Sequence, residues 1–499
     1  MNDTVIWNAN QRKISFPQLY GEIETDVLVI GAGITGLTAA YLLATEGKLV
    51  AVVEAGSIGN SATAKSSAHL TTESDFSYQE LRSKYNMDTC AAVAASRKFA
   101  ISFIENLSKK FDCDFKYVSG FLYAEDSKDV DYLAKEKEIA TDAGLDVYSA
   151  SGLKLPFGVA GAIEFRNQAI FNPARYLYGI AEHLNGLPNC KVFENSRVID
   201  KDDEAVYTQY GSIRAKTVVY ATHYPIFFDL HQTLAYPYRS YIIAARVQED
   251  IGDDVYWDTF EPYFYTRSYV VDGQKYLIVG GADHKTGANI SDPYEKLESY
   301  LRLRYHVESI DFRWSNQYYE PADGLPYIGR NSKGNEYIAT GYSGDGLTNG
   351  TIAGYSISQE IMGLQEKLWN GIFDSKRFNV IASAGKFIKE NADVAKHYVM
   401  DRFATKNRDV IDMLSPGDGA VIEEDNEKIA VSVDDQGNFN CVKANCTHLN
   451  CLVAWNTNEK TWDCPCHGSR FMGDGTVITG PAVKNLEQVN ISIQVLNKS

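Results

Sequence analysis

The stretch DVLVIGAGITG, residues 26–36, decides the fold of the N-terminal part of the chain. Its apolar run predicts a short buried strand, the helical pattern LTAAYLLATEG follows, and LVAVVE predicts a second strand. Gly31, Gly33 and Gly36 form the pattern GxGxxG between strand and helix. The first glycine permits a tight turn, the second lets the backbone approach a pyrophosphate, and the third allows close packing of helix on strand.

Glu54 ends the second strand, about 20 residues after the glycines, where a carboxylate accepts hydrogen bonds from a ribose diol. The helix N-terminus attracts phosphate, so this context favours dinucleotide binding over a glycine-rich structural turn. FAD is favoured over NAD because the pattern opens a much larger unit, which returns through a strand-rich region at about 192–245. No second GxGxxG for a separate nicotinamide site occurs.

From the N-terminus to about position 370, the chain resembles the D-amino acid oxidase and glycine oxidase superfamily of FAD-dependent enzymes. The resemblance rests on GAGITG, Glu54, Ala221-Thr222-His223, DGLPYIG and ATGYSGDGLTNG. It departs from the family at His223, where the family has glycine. The last motif implies backbone N–H groups near the flavin carbonyls, from Gly344, Asp345, Gly346, Leu347 and Thr348. A flexible glycine loop is the alternative.

The segment TAKSSAHLTT, residues 63–72, resembles the second flavin-contacting stretch of this superfamily. Some relatives attach FAD covalently through a histidine at the position that Ser66 occupies here, so the resemblance implies noncovalent FAD. His69 is a candidate proton relay or hydrogen-bond donor beside the flavin. The alternative is a histidine that only satisfies packing.

The resemblance and the hydrophobic patterns predict an α/β FAD-binding fold with an inserted substrate domain, followed by a small all-β domain. We expect an oxidoreductase region at 1–375, a helical linker at 376–404 and the β domain at 405–499. FAD-binding segments are expected at about 20–75, 155–225 and 320–370, and substrate or cap segments at about 76–154 and 226–319, with helical patterns at 78–110 and 127–144.

Composition excludes several classes of partner. The 499 residues include 44% hydrophobic ones and carry a formal net charge of -17, which argues against nucleic acid or an anionic membrane surface. No stretch approaches the ~18 apolar residues of a membrane span, and the N-terminus lacks the pattern of a signal peptide. A cytoplasmic protein is therefore expected.

Five of the eight cysteines cluster between positions 441 and 466, which indicates metal chemistry, while Cys90, Cys113 and Cys190 are scattered as buried apolar residues. Two pairs stand out. Cys446 and His448 form CxH, and further along the chain Cys464 and His467 begin and end CxxH. Two thiolates and two imidazoles are the ligand set of a Rieske 2Fe-2S centre, and a zinc site is the alternative.

CTHLxC and CPCHGS resemble the Rieske proteins of cytochrome bc complexes. The resemblance implies a disulfide between Cys451 and Cys466, which would be unusual in a cytoplasmic protein. It also implies a hydroxyl of Ser469 that donates to a bridging sulfide and a covering proline loop at 480–481. Many high-potential relatives carry a tyrosine where Phe471 stands, so the loss of one donor predicts a lower potential.

The chain after His467 is too short for the mononuclear iron domain of a Rieske oxygenase, so we expect the cluster to be a relay. The most economical function is oxidation of a C–N bond of a small amine or amino acid by FAD, with electrons leaving singly through the cluster to an acceptor protein or quinone. One alternative reverses the flow, from a ferredoxin-like donor through the cluster to FAD, which then reduces a substrate or activates O2. The other is a redox sensor or electron-transfer protein without a substrate.

A candidate substrate face is the segment PYFYTRSYV, where alternate positions of a strand point the same way. Tyr263, Tyr265, Arg267 and Tyr269 give three phenols and a guanidinium that could cage a cation or hold a carboxylate. Arg239 is a weaker candidate, and no catalytic base is identifiable. The alternative is a solvated strand in a tyrosine-rich chain.

Overall fold

The structure is a computed structural model that describes residues 5–9, 14–227, 229–288, 292–331, 334–364, 369–377 and 408–490. The chain forms two compact units. The first consists of Met1–His223, Arg239–Asp283 and Pro293–Ala382, and the second of Tyr224–Tyr238, His284–Asp292 and Ser383–Ser499. The predicted helical linker lies, from residue 378 to 404, outside the described residues. The domain boundaries given above stay predictions.

Both strands and helices occur along the chain as far as Phe373. The strands are β1 (Gly21–Ile30), β2 (Val50–Val53), β3 (His69–Leu70), β4 (Lys116–Ala124), β5 (Val147–Ala150), β6 (Gly161–Ile170), β7 (Cys190–Phe193), β8 (Val198–Lys201), β9 (Val206–Thr208), β10 (Gly211–Tyr220), β11 (Ala235–Val247), β12 (Val255–Asp258), β13 (Tyr265–Val271), β14 (Gln274–Lys285), β15 (Val307–Pro321), β16 (Tyr327–Arg330) and β17 (Glu336–Thr340). The helices are α1 (Ile34–Thr45), α2 (Tyr78–Lys84), α3 (Met87–Ser108), α4 (Val130–Asp142), α5 (Pro173–Asn185), α6 (Pro293–Arg304), α7 (Gly346–Met362) and α8 (Asn370–Phe373). Short 3-10 helices span Ile6–Asn8, Ser127–Asp129, Leu230–Thr233 and Arg408–Met413.

The predicted strand, helix and strand at residues 26–54 are β1, α1 and β2. They belong to an eight-stranded sheet with the order β16-β17-β10-β1-β2-β7, to which β8 and β9 are attached. β1 pairs in parallel with both β2 and β10. The apolar run of β1 is buried on both faces, as in a parallel sheet covered by helices, and each fully buried aliphatic side chain contributes about 1.5–3 kcal/mol.

A nine-stranded sheet contains the strands of the predicted substrate segments together with β3 and β6, which lie in segments predicted to bind FAD. Its order is β15-β11-β14-β13-β12-β4-β6-β3, with β5 paired to β6. The helical patterns predicted at 78–110 and 127–144 correspond to α2, α3 and α4. Asn86 caps α3, because its side chain accepts a hydrogen bond from the amide of Thr89 at 2.9 Å. In the part of the chain that the structure describes, no helix has the length and apolar character needed to cross a membrane.

The C-terminal part of the second unit is all β, as predicted. Its strands are β18 (Gly419–Glu424), β19 (Glu427–Val433), β20 (Phe439–Lys443), β21 (Ala454–Asn456), β22 (Thr461–Asp463), β23 (Arg470–Met472) and β24 (Val477–Thr479). They form a three-stranded sheet, β18-β19-β20, and a four-stranded sheet, β21-β22-β23-β24. Trp462 and Phe471 are fully buried in the core of this unit. The two loops that carry the predicted cluster ligands connect β20 to β21 and β22 to β23.

Candidate cofactor and substrate sites

Gly31 and Gly36 lie where a side chain would collide with backbone atoms, and Gly33 lies where a side chain would be tightly packed. Gly31 has φ +102°, and a Cβ there would lie 2.5 Å from the carbonyl oxygen of Ala221, which directly follows the neighbouring parallel strand. A Cβ on Gly36 would lie 1.9 Å from the carbonyl oxygen of Gly31, and one on Gly33 would lie 3.2 Å from Oγ1 of Thr63. The turn therefore has the shape that a pyrophosphate-binding loop requires.

Glu54 lies directly after β2 and faces the same turn. Its carboxylate accepts hydrogen bonds from the amides of Ala32, at 2.9 Å, and Gly56, at 3.0 Å. A carboxylate has about four acceptor positions, so two remain for the diol of a ribose. A Cβ on Gly56 would meet nothing within 4 Å, which leaves open space beside the carboxylate. The residues fit the adenosine end of FAD.

The stretch at 63–72 is held by hydrogen bonds from distant side chains to its backbone carbonyls. Trp7 donates to the carbonyl of Ser66 at 2.9 Å, and Trp314 donates to that of Lys65 at 3.0 Å. The hydroxyl of Ser66 donates to the carbonyl of Thr63 at 2.8 Å, within the same loop. Ser66 thus shapes the loop through a local hydrogen bond.

His69 lies in β3, and its ring packs edge-on against Tyr265 with a centroid distance of 5.6 Å. Nε2 of His69 is buried and has no hydrogen-bond partner among the described residues. Burial, with the charge of Arg267 as a smaller cause, holds the pKa of His69 well below its usual range. The imidazole is therefore neutral and has an unused position for a ligand.

The glycine motif at residues 344–348 begins α7, and its first two residues are bound by side chains that the sequence did not indicate. The amide of Gly344 donates to Asp75 Oδ2 at 3.0 Å, and the carboxylate of Asp345 accepts from the amide of Asp75 at 2.9 Å. Asp345 also pairs with the buried Arg97. Gly344 and Asp345 therefore form an anchor for the motif.

The amides of Gly346, Leu347 and Thr348 follow this anchor in the first turn of α7. The first N–H groups of a helix have no partner within the helix, and a Cβ on Gly346 would meet nothing within 4 Å. A Cβ on Gly350 would lie 2.7 Å from Ile34, and a Cβ on Gly354 would lie 2.5 Å from the carbonyl oxygen of Thr35. Helix α7 therefore packs closely on the start of α1. The two glycine motifs thus lie together, as one flavin site requires.

His223 takes the place of the family's glycine in a backbone conformation that favours glycine. Its φ is +67°, in the left-handed region that favours glycine, and its carbonyl accepts a hydrogen bond from Thr340 at 2.9 Å. The imidazole packs edge-on against Tyr319 with a centroid distance of 5.0 Å, and burial lowers the pKa of His223 to about 4. A neutral ring therefore fills the space that glycine would leave open.

The predicted substrate face divides into two groups. Tyr263 donates to Asp75 Oδ1 at 2.9 Å, and the hydroxyls of Tyr265 and Ser240 are 3.2 Å apart. A Cβ on Gly280 would lie 2.2 Å from the ring of Tyr265, so the glycine lets this ring lie across the neighbouring strand. These two tyrosines lie beside the flavin motif, since Asp75 binds Gly344.

Arg267 and Tyr269 form the second group of the predicted substrate face and contact different residues. Arg267 is 1% exposed and donates to the carbonyl of Ala68 at 2.9 Å, and its guanidinium lies 5.1 Å from the ring centre of Trp7. Burial lowers the pKa of Arg267 to about 9. The hydroxyl of Tyr269 bonds to the side chain of Asn172 at 2.8 Å. Arg239 is buried and donates to Ser315.

Sequence reasoning missed the acidic residues around the two tyrosines. Asp283, in β14, accepts a hydrogen bond from Tyr318 at 3.0 Å. Burial, and then the charge of neighbouring carboxylates, raises the pKa of Asp75 to about 7, and burial likewise raises the pKa of Asp283 to about 7. Asp75, Asp283 and Tyr318 lie on separate segments, so no local motif indicates them.

The four predicted cluster ligands come together in the second unit. The rings of His448 and His467 have a centroid distance of 5.0 Å, and both nitrogens of His448 are buried without a partner among the described residues. Burial lowers the pKa of His448 to about 4 and that of His467 to about 3, so both imidazoles are neutral, as metal ligands must be. The thiol of Cys464 interacts with Cys446 and lowers its pKa to about 7. Two thiols and two neutral imidazoles fit a 2Fe-2S cluster.

Cys451 and Cys466 form a disulfide beside these ligands. The sulfurs of Cys451, Cys464 and Cys466 lie within 4.8 Å of one another, but the disulfide leaves only Cys464 of these three free to bind iron. The hydroxyl of Ser469 hydrogen-bonds to Cys446 and lowers its pKa, and its oxygen accepts from the amide of Ala482 at 3.0 Å. Ser469 thereby connects a predicted cluster ligand to the proline loop.

Two segments that precede the C-terminal domain by more than a hundred positions also belong to the second unit. A Cβ on Gly287 would lie 2.8 Å from Pro465, which stands between Cys464 and Cys466, and Gly287 has φ +78°. A Cβ on Gly480 would lie 3.3 Å from Ile226. The cluster loops therefore contact chain segments from the oxidoreductase region.

Comparison with known proteins matches both parts of the chain to known families. Residues 26–360 match the family of FAD dependent oxidoreductases, and residues 408–490 match the Rieske 2Fe-2S domain. The first match covers more than half of the chain, so the protein belongs to the FAD dependent oxidoreductase family and carries a C-terminal Rieske domain. It is an oxidoreductase that uses FAD and a 2Fe-2S cluster.

Three similar proteins illustrate this. YhfW of Bacillus subtilis, described as a Rieske 2Fe-2S iron-sulfur protein, is 31% identical over 97% of each chain. The gamma-glutamylputrescine oxidoreductase of Escherichia coli is 26% identical over 74% of this chain and 88% of its own. The crystal structure of glycine oxidase from Geobacillus kaustophilus superimposes with a TM-score of 0.60 at 17% identity, over 71% of this chain and 99% of its own. The structural similarity confirms the predicted fold.

Proposed function

We propose that this protein oxidises a C–N bond of a small amine or amino acid and passes the two electrons singly through its cluster to an acceptor protein or quinone. In this reaction the substrate loses two electrons and two protons and becomes an imine, which water hydrolyses. When bound, FAD accepts two electrons from an organic donor and the 2Fe-2S cluster carries one at a time. The cytoplasm remains the predicted location.

The observation that carries the proposal is the set of polar side chains beside the flavin motif. Tyr263 and Gly344 both bind Asp75, so the substrate face and the motif at the start of α7 share one carboxylate. His69 adds a neutral imidazole with an unused nitrogen. We propose that His69 and Tyr265 face the substrate, and that Arg267 positions the flavin-contacting stretch through the carbonyl of Ala68.

The second unit supports electron exit through the cluster. We propose Cys446 and Cys464 as ligands of one iron and His448 and His467 as ligands of the other. The contact of Gly287 with Pro465 places a segment of the oxidoreductase region against a cluster loop. A relative named for gamma-glutamylputrescine, a derivative of a diamine, supports an amine as the substrate class.

The test is anaerobic mixing of the holoenzyme with N-methylated amines, diamines and amino acids, while the flavin absorption band is followed. We expect at least one of these compounds to bleach the flavin. Cys464→Ser, which removes a ligand of the cluster, should still bleach but should lose turnover with a one-electron acceptor. Turnover of this variant at the wild-type rate would contradict exit through the cluster. A flavin that no compound bleaches would contradict the proposed substrate class.

A further inference from the structure

Two carboxylates beside the flavin motif are held without a basic partner. Asp75 accepts hydrogen bonds from Tyr263 and from the amide of Gly344, and Asp283 accepts one from Tyr318. Among the described residues, no lysine or arginine forms an ion pair with either. Buried charges in proteins are normally paired, because desolvation penalises a lone charge. Burial raises the pKa of both carboxyl groups to about 7, so a bound cation would stabilise their charged forms.

Three phenols lie within electrostatic range of both carboxylates. Burial, and then the charges of Asp75 and Asp283, raise the pKa values of Tyr263, Tyr265 and Tyr318. The ring centres of Tyr263 and Tyr265 are 6.0 Å apart. We name these five residues the acidic phenol site. Aromatic faces and carboxylates together attract an organic cation.

His69 gives an independent indication of a ligand. Its buried Nε2 has no partner among the described residues, and its ring lies edge-on against Tyr265 of the acidic phenol site. Because the imidazole is neutral, it does not compensate the two carboxylates. Arg267, the cation of the predicted substrate face, donates to the carbonyls of Ala68 and Ser268 instead.

We infer that the acidic phenol site binds the ammonium group of the substrate and thereby selects cationic amines over amino acids. This inference rests on the proposed oxidation of a C–N bond and names its substrate class. A substrate carboxylate at this site would lie beside two carboxyl groups that have no basic partner among the described residues, and it would disfavour their charged forms further. A monoamine or diamine instead brings a positive charge that can pair with Asp75 and Asp283.

The experiment measures binding and turnover separately. Tetramethylammonium, whose nitrogen has neither a lone pair nor a hydrogen, is titrated into the holoenzyme, and the shift of the flavin absorption band reports its binding. We expect saturable binding that competes with the reduction of the flavin by butylamine or 1,4-diaminobutane. Asp283→Asn should weaken tetramethylammonium binding by about 10- to 100-fold, because it removes a buried charge.

Two further variants make the result specific. Asp131→Asn is the matched control, since Asp131 is exposed on α4 and the change removes one negative charge elsewhere. It should bind tetramethylammonium as the wild type does. Asp75→Asn should weaken binding as Asp283→Asn does, and its FAD content is measured because Asp75 also holds Gly344.

The outcomes separate the inference from the proposed function. If 4-aminobutanoate, glycine or proline reduces the flavin faster than butylamine and 1,4-diaminobutane, the inference is wrong and the oxidation of a C–N bond stands. If no amine or amino acid reduces the flavin, the proposed function is wrong, and the tetramethylammonium titration still tests the cation site. Equal binding by wild type and Asp283→Asn overturns the inference.

Discussion

Substitution of Gly36 by alanine should weaken FAD binding, because this glycine fixes how closely α1 approaches the turn. A Cβ at this position would lie 1.9 Å from the carbonyl oxygen of Gly31 and 3.1 Å from Cγ1 of Val29. Real Cβ atoms essentially never lie closer than 3.0 Å to another heavy atom, and the first distance is far shorter than this limit. The start of the helix must therefore move away from the turn. Overpacking of this kind costs about 1–3 kcal/mol.

If this cost falls on the FAD-binding conformation, the affinity for FAD falls by about 5- to 150-fold, since about 1.4 kcal/mol corresponds to a factor of ten. The assay is titration of the apoprotein with FAD, followed by the quenching of flavin fluorescence. The visible circular dichroism of the cluster serves as an internal control, because the cluster ligands belong to the second unit.

Gly158→Ala is the matched control. Gly158 is exposed, and a Cβ there would meet nothing within 4 Å, so this variant should bind FAD as the wild type does. A Gly36→Ala protein with unchanged affinity for FAD would refute the reasoning. It would mean that the turn does not contact the cofactor or that α1 moves at no cost.

The same structure supports three further predictions. Cys464→Ser should abolish the absorption of the cluster and retain FAD at the wild-type stoichiometry, and the loss of both cofactors would contradict separate binding sites. Acid precipitation should release FAD into the supernatant, and flavin that stays with the protein would indicate a covalent link. Burial raises the pKa of Asp258 to about 7, above its unfolded value, so its contribution to stability is present at low pH and is lost as the pH rises through about 7. Asp258→Asn removes the titrating carboxyl group but keeps the oxygen that accepts from the amides of Phe260 and Phe264 at 3.1 and 2.9 Å. The thermal midpoint of the variant should therefore change less than that of the wild type between pH 4 and about 7. An equal change in both proteins would contradict the assignment.

The cofactor sites could be predicted because their signals are local. The glycines of residues 31–36 lie in one turn, and the proposed cluster ligands lie in two short loops. The chemistry of such loops depends on residues close in sequence, so spacing carries the information. The partners that hold these motifs, such as Arg97 for Asp345, come from distant helices and leave no sequence pattern.

The substrate face could be predicted only in part. Alternation along a strand places residues on one face, but β13 begins at Tyr265, so Tyr263 lies outside the strand. Alternation also does not determine what each side chain meets, and the buried Arg267 donates to a backbone carbonyl. Asp75 and Asp283 are far apart in sequence, and only the tertiary fold reveals the acidic phenol site.

The segments that contact the cluster loops were also beyond sequence reasoning. Residues 224–238 and 284–292 lie inside the oxidoreductase region, yet they belong to the same compact unit as the Rieske domain. Nothing in their composition distinguishes them from other loops. Gly287 is explained only by its close approach to Pro465.

The order of electron transfer tests the central claim most directly. The oxidised holoenzyme is mixed anaerobically with 1,4-diaminobutane or an N-methylated amine, and the flavin band and the EPR signal of the reduced cluster are followed in time. The account predicts that the flavin bleaches first and that the cluster signal then appears in wild type and not in Cys464→Ser. Reduction of the cluster and then the flavin by a reduced ferredoxin, with no response to any amine, would contradict it and reverse the direction of flow.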